Sequence, residues 1–245
     1  MVRYGVKIGL IIMMSGIAYV LTAEILAQER FYKTNQPIIV IDPGHGGRAS
    51  GVRGPAGILE KTAVLALAQA LASRLEADFR VKLTRTGDYD LALADRTAIA
   101  NQSQAALLIS LHTGGSFLYQ TDGMTVFYFA RKAKEAPFSE PPPDDLDNLA
   151  SPHWKSVQER YVIDSKILAF TLQNHFEAVR PDVKIRVQQA PLAVLMGANM
   201  PAVLIEAGYL SNPAEEKNLS DPQFRLNIAI SIEKALKEYF AKKLP

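Results

Sequence analysis

The chain contains no cysteine. Disulfides, thiolate metal sites and cysteine nucleophiles are therefore all excluded. Excess charge is missing too. Twenty-seven lysines and arginines stand against 25 acidic residues, a formal net charge of +2. Nothing in that balance calls for nucleic acid or an acidic polymer as partner. Two common binding loops are also absent. Gly44 and Gly46 begin a Gly-x-Gly-x-x-Gly pattern, but position 49 is Ala, and no Gly-Lys-Ser/Thr ending exists for a phosphate loop. The "GHGG" at Gly44–Gly47 has a faint likeness to an esterase oxyanion loop, yet the chain has no Gly-x-Ser-x-Gly elbow. Internal repeats are lacking, and Pro141–Pro143 is the sole low-complexity tract.

The N-terminus departs from this average composition. Arg3 and Lys7 flank the start of "IGLIIMMSGIAYVL", and Glu24 follows it. A basic start and about fifteen apolar residues match a secretory signal, whereas a bilayer span needs about twenty. Residues 1–27 read as a cleaved signal peptide or an uncleaved membrane anchor. Ile25, at the −3 position of a cut after Ala27, departs from the small-residue rule. Both readings carry the remainder across a membrane, to the periplasm or cell envelope.

Residues 37–243 alternate short apolar runs with segments of helical spacing. "IIVID", "FRVKLTR", "ALLISLH", "GMTVFYFA", "VKIRVQQ" and "AVLIEAG" read as strands. Helices are expected over "EKTAVLALAQALASRLEA", "LALADRTAIANQS", "KSVQERYVIDSKILAFTLQNHFEAV" and about Pro222 to Lys242. Polar, proline-broken residues 131–154 read as an insertion or long surface loop. The alternation predicts one α/β domain whose sheet is covered on both faces.

In open α/β sheets ligands gather beyond the carboxyl ends of the strands. His45 lies just past the first expected strand, His112 ends "ALLISLH", and Glu206 ends "AVLIE". Glu60 begins the helix leaving the glycine loop, which returns it to the same rim. Two neutral imidazoles and a carboxylate make a three-ligand zinc set with a fourth position open to water. Glu206 is costly to bury unless paired or metal-linked. Glu60 reads equally as a first-turn glutamate favoured by the helix dipole. The glycines around His45 would let the loop turn and leave room beside the ring for metal and substrate. His153, in the insertion, and His175, beside Asn174, read as surface residues. Arg85 and Arg96 read as structural ion pairs.

"IVIDPGHGG", the helix-opening Glu60-Lys61, "LLISLH" and "MPAVLIEAGYLSNP" resemble, in that order, the zinc-dependent N-acetylmuramoyl-L-alanine amidases of bacterial cell walls. "LTRTGDYDLALADRTAIAN" looks like that family's segment between its second and third motifs. The resemblance runs from about Pro37 to Lys242. It implies a single α/β domain with a mixed, mostly parallel sheet of about six strands and helices on both faces. It implies one zinc ion held by His45, Glu60 and His112, with Glu206 as the catalytic carboxylate. The reaction implied is hydrolysis of the amide between N-acetylmuramic acid and the L-alanine of the stem peptide in peptidoglycan.

Two departures from the family pattern stand out. Many members have a small residue and then Asn after the third ligand, where this chain has Thr113-Gly114-Gly115. Some relatives carry an added segment near 131–154 that blocks the site until a protein activator displaces it. The acidic "PPDDLDNL" could supply a carboxylate to the open zinc position, or be a solvated loop. Two other functions compete: a zinc peptidase cutting a different amide, and a peptidoglycan-binding module without turnover. A structural envelope protein would explain the N-terminal segment but none of the four motifs.

Overall fold

Alternate residues of "IIVIDP" face opposite ways, and both faces are buried. That is the signature of a strand with packed layers above and below it. A computed structural model describes residues 36–130 and 157–243. In it, β1 (Ile38–Pro43) turns Ile39 and Ile41 towards one core cluster and Val40 towards a second. The 1–27 segment and the 131–154 insertion, with His153, lie outside the described residues.

Five further strands join β1: β2 (Arg80–Leu83), β3 (Leu107–Gly114), β4 (Met124–Phe129), β5 (Ile185–Ala190) and β6 (Ala202–Tyr209). Their order across the single sheet is β2-β1-β3-β6-β4-β5. The first four in that order are mutually parallel. β4 runs antiparallel to β6 and parallel to β5. The expected mixed, mostly parallel six-stranded sheet is therefore the one observed. β1, β3 and β6 are adjacent and parallel, so their carboxyl ends share one rim.

One face is covered by α1 (Glu60–Leu75), α3 (Val162–Val179) and α5 (Pro222–Ala241). Val64, Leu67, Leu71 and Leu75 of α1 recur at helical spacing and join Ile39, Ile41, Leu107 and Ile109 in one cluster. Truncating one of these, for example Leu71→Ala, would cost about 2–5 kcal/mol. The opposite face is covered more thinly. Ala100 of α2 (Leu93–Gln102) packs there with Leu195 and Met200, from the irregular segment before β6, over Val40, Leu108 and Leu204.

The C-terminal end differs from the sequence expectation of one last helix. An additional helix, α4 (Pro213–Ser220), precedes α5. Asn212 caps α4 by accepting the Ala214 and Glu215 N–H groups, with Pro213 in its first turn. Asp221 caps α5 in the same way through the Gln223 N–H, followed by Pro222. Each Asx-Pro pair starts a helix, and Asp221 also ends the one before it. The long helix expected from Lys155 likewise opens as a 3-10 turn, Val157–Tyr161, before α3. Among the described residues, no helix is long and apolar enough to cross a membrane.

Candidate metal centre

The loop after β1 is bent and firmly held. Gly44 N–H still donates to Leu111 O on β3 at 2.9 Å. His45 then adopts φ 59°, a left-handed conformation unusual for a residue with a Cβ. Such backbone costs of order 1–3 kcal/mol and persists only where its surroundings hold it. Two buried arginines supply that hold. Arg96 donates to Pro43 O at 2.9 Å and to His45 O at 2.8 Å. Arg85 donates to Pro43 O at 2.9 Å and Gly44 O at 2.8 Å. Arg96 is anchored by Asp42, which is fully buried and also accepts from Thr84 and Ser110 hydroxyls. The reading of Arg96 as a structural ion-pair residue fits this; every hydrogen bond of Arg85 goes to a main-chain carbonyl.

Glu60, the first residue of α1, is 2% exposed and lies between the two imidazoles. Its Oε2 is 3.1 Å from His45 Nε2 and its Oε1 is 3.0 Å from His112 Nδ1. The main-chain N–H groups of Val52 and Thr113 each donate to it at 2.9 Å. Burial pushes its carboxyl up, but hydrogen bonds from His112, His45, Thr113 and Val52 outweigh burial and hold it well below the usual carboxylate range. The imidazole rings meet edge to face, with centroids 5.0 Å apart. The rings are 29% and 20% exposed, so this cluster has a buried floor and an open side.

Glu206 occupies a different place. It stands on β6 directly opposite His112 in the parallel register, so both side chains leave the same face. It is half-buried, and among the described residues its carboxylate has no hydrogen-bond partner. Burial raises its carboxyl above the ordinary value and the Glu60 charge adds to this, while His112 opposes it. Of the two carboxylates left open by the sequence, Glu60 sits among the imidazoles and Glu206 faces the group without joining it.

The donor set suits a metal ion. One ligand atom from each of His45, Glu60 and His112 lies within 4.8 Å of the others. Tetrahedral zinc with bonds of about 2.0–2.1 Å separates its ligand atoms by roughly 3.3 Å. That separation falls within the 4.8 Å spread of the three donor atoms, and the two imidazoles flank the Glu60 carboxylate on its two oxygens. The residues fit a three-ligand centre with one position free.

Gly46 and Gly47 turn the loop as the sequence suggests, at φ 125° and 57°, and Gly44 makes room. A Cβ on Gly44 would lie 2.3 Å from His112 Cε1, so the bare backbone makes room for the second imidazole rather than for substrate. The departures after His112 also have local reasons. Gly114 packs against the Tyr209 ring and Gly115 against Val52, while Thr113 gives Glu60 only a main-chain N–H, which any residue but proline would supply. His175 lies away from the centre, where its Nε2 is 2.9 Å from Glu238 on α5. Sequence reasoning missed Glu216 of α4, which is 2% exposed and accepts from Ala56 and Ile58 N–H at 2.7 and 3.0 Å. It secures the loop between His45 and Glu60. Its one signal is an acidic residue in the first turn of a proline-started helix.

Sheet and cluster together define an α/β domain with a His/Glu/His centre at the carboxyl rim of three parallel strands. The chain belongs to the N-acetylmuramoyl-L-alanine amidase family, whose sequence model matches residues 39–238. It is 31% identical over 219 residues to N-acetylmuramoyl-L-alanine amidase AmiC of Neisseria meningitidis, covering 83% of this chain and 53% of that protein. It is 30% identical over 220 residues to AmiC of Escherichia coli, with the same two coverages. The chain thus spans about half the length of these curated relatives. An N-acetylmuramoyl-L-alanine amidase from Clostridium difficile superposes with TM-score 0.68 at 28% identity, covering 86% of this chain and all of that one. The CwlD amidase from Clostridioides difficile, solved in complex with the GerS lipoprotein, superposes with TM-score 0.65 at 25% identity, covering 84% and 99%.

Proposed function

We propose that this chain is a zinc-dependent N-acetylmuramoyl-L-alanine amidase, with residues 37–243 as its catalytic domain. It would hydrolyse the amide between the lactyl group of N-acetylmuramic acid and L-alanine in peptidoglycan. The observation that carries the reading is the Glu60 carboxylate set between His45 and His112, with Glu206 facing them from the next strand. In this account His45, Glu60 and His112 hold one zinc ion.

A bound zinc would acidify water and polarise an amide carbonyl. The protein's own residues manage the protons. Glu206 takes a proton from the attacking water and passes it to the departing alanine nitrogen. An amine leaves poorly without that proton, so one carboxylate serves as base and then as acid. A base must be free to accept, and Glu206 is the site carboxylate without a hydrogen-bond partner among the described residues. Glu60, held by the Val52 and Thr113 N–H groups and set between the two imidazoles, is fixed instead for ligation.

The 1–27 segment delivers the domain to the periplasm or cell envelope, as signal peptide or anchor. The 131–154 insertion is a candidate for control of access by a protein activator. Deleting it should raise hydrolysis if it blocks the site; equal rates with and without it would sink that role.

The test of the reaction is product analysis on purified peptidoglycan. Hydrolysis should release free L-alanine amino termini, stop with chelator and return with zinc. Cleavage at another amide would point to a different zinc peptidase. Sacculus binding without any cleavage would point to a binding module.

A further inference from the structure

Arg85 is fully buried, yet among the described residues no carboxylate is one of its hydrogen-bond partners. All four of its bonds go to main-chain carbonyls. Nε donates to Pro43 O at 2.9 Å and Nη1 to Gly87 O at 3.0 Å. Nη2 donates to both Gly44 O and Lys61 O, each at 2.8 Å. Gly44 is the residue before His45, and Lys61 is the residue after Glu60. A single guanidinium nitrogen therefore bridges the neighbours of two residues of the cluster, one on a loop and one on α1.

A buried charge is a poor device for stability alone. Burying a guanidinium with no carboxylate to pair it is costly. What a guanidinium offers is a planar fork of five donors in fixed geometry. Arg96 beside it pairs with Asp42 and reaches only the His45 side. Lys61 links Gly47 O and Asp88 nearer the surface. Among the described residues, Arg85 alone ties the carbonyls flanking His45 and Glu60 from within.

We propose that Arg85 is a positioning residue of the metal centre: it fixes the loop carrying His45 against the start of the helix carrying Glu60, so that the two ligands meet at a set separation. This rests on the reading of His45, Glu60 and His112 as metal ligands. The role needs the fork and not merely a positive charge. Lysine has a single nitrogen and cannot reach four carbonyls held on three separate segments.

The experiment uses the full chain as wild type, Arg85→Lys and Arg85→Met. Zinc affinity is measured by competition with a chromophoric chelator, well below the unfolding temperature. The unfolding midpoint of each metal-free protein is measured beside it, and cobalt is substituted to read ligand geometry from its visible absorption. Arg85→Lys should fold cooperatively, bind zinc about ten- to a hundredfold more weakly, and show an altered cobalt spectrum. Arg85→Met should weaken binding at least as much. A purely structural role would lower the metal-free midpoint and leave zinc affinity unchanged in the folded protein, and that result would overturn the proposal. Failure of both variants to fold would also overturn it, making Arg85 a determinant of the fold. Absence of zinc binding by the wild type would overturn the metal-centre reading itself, and this inference with it.

Discussion

His112 and Glu206 stand opposite each other on β3 and β6, one bonded to Glu60 and the other to no partner among the described residues. Parallel register alone produces this pairing, because strand partners project from the same face of the sheet. The division of labour proposed here follows from it. One carboxylate is locked by donors, and the other stays free within reach of the same opening.

Keeping Glu206 free should carry a stability cost that depends on pH. Its carboxyl is raised above the ordinary value, chiefly by burial. The folded state therefore binds its proton more tightly than the unfolded chain does, and stability falls as pH rises through this window. In the metal-free protein, Glu206→Gln removes that cost. The variant should match wild type in thermal midpoint near pH 4 and exceed it near pH 7. A variant less stable than wild type at neutral pH would contradict the assignment.

Gly44→Ala tests whether the missing Cβ makes room for His112. The added carbon would sit 2.3 Å from the ring, closer than real contacts allow, so the imidazole must shift. Metal centres tolerate ligand displacements of only about 0.2 Å. Zinc affinity should fall by about ten- to a hundredfold while the sheet stays intact by circular dichroism. Undiminished zinc binding would show that the ring has space to spare.

Asp42 carries the opposite prediction, for fold more than for metal. Asp42→Ala would strand the buried Arg96 guanidinium and release Thr84 and Ser110. Breaking one side of a buried pair costs about 3–5 kcal/mol. Urea unfolding of the metal-free protein should show a loss of that size. A loss below about 1 kcal/mol would mean that water or a neighbour satisfies Arg96.

Much of this was legible in the sequence. Strands such as "IIVID" and "AVLIEAG" announced themselves because burial on both faces demands continuous apolar runs. His45, His112 and Glu206 could be placed on one rim, since residues ending adjacent parallel strands must lie together. The choice between Glu60 and Glu206 was not legible from spacing. It depends on which carboxylate collects the Val52 and Thr113 N–H groups, a matter of how the loop folds back. The Arg85 bridge was hidden for the same reason, because main-chain carbonyls leave no mark in residue identity. The helix α4 was visible in principle, through Asn212-Pro213, but eight residues give little periodicity to read.

The most direct test is zinc content and peptidoglycan hydrolysis on the same preparations of wild type and Glu206→Gln. The account predicts about one zinc per chain in both, with turnover in the variant reduced by at least about 10²–10⁴-fold. Zinc lost from the variant would make Glu206 a ligand. Near-normal turnover with zinc retained would remove it from the chemistry altogether.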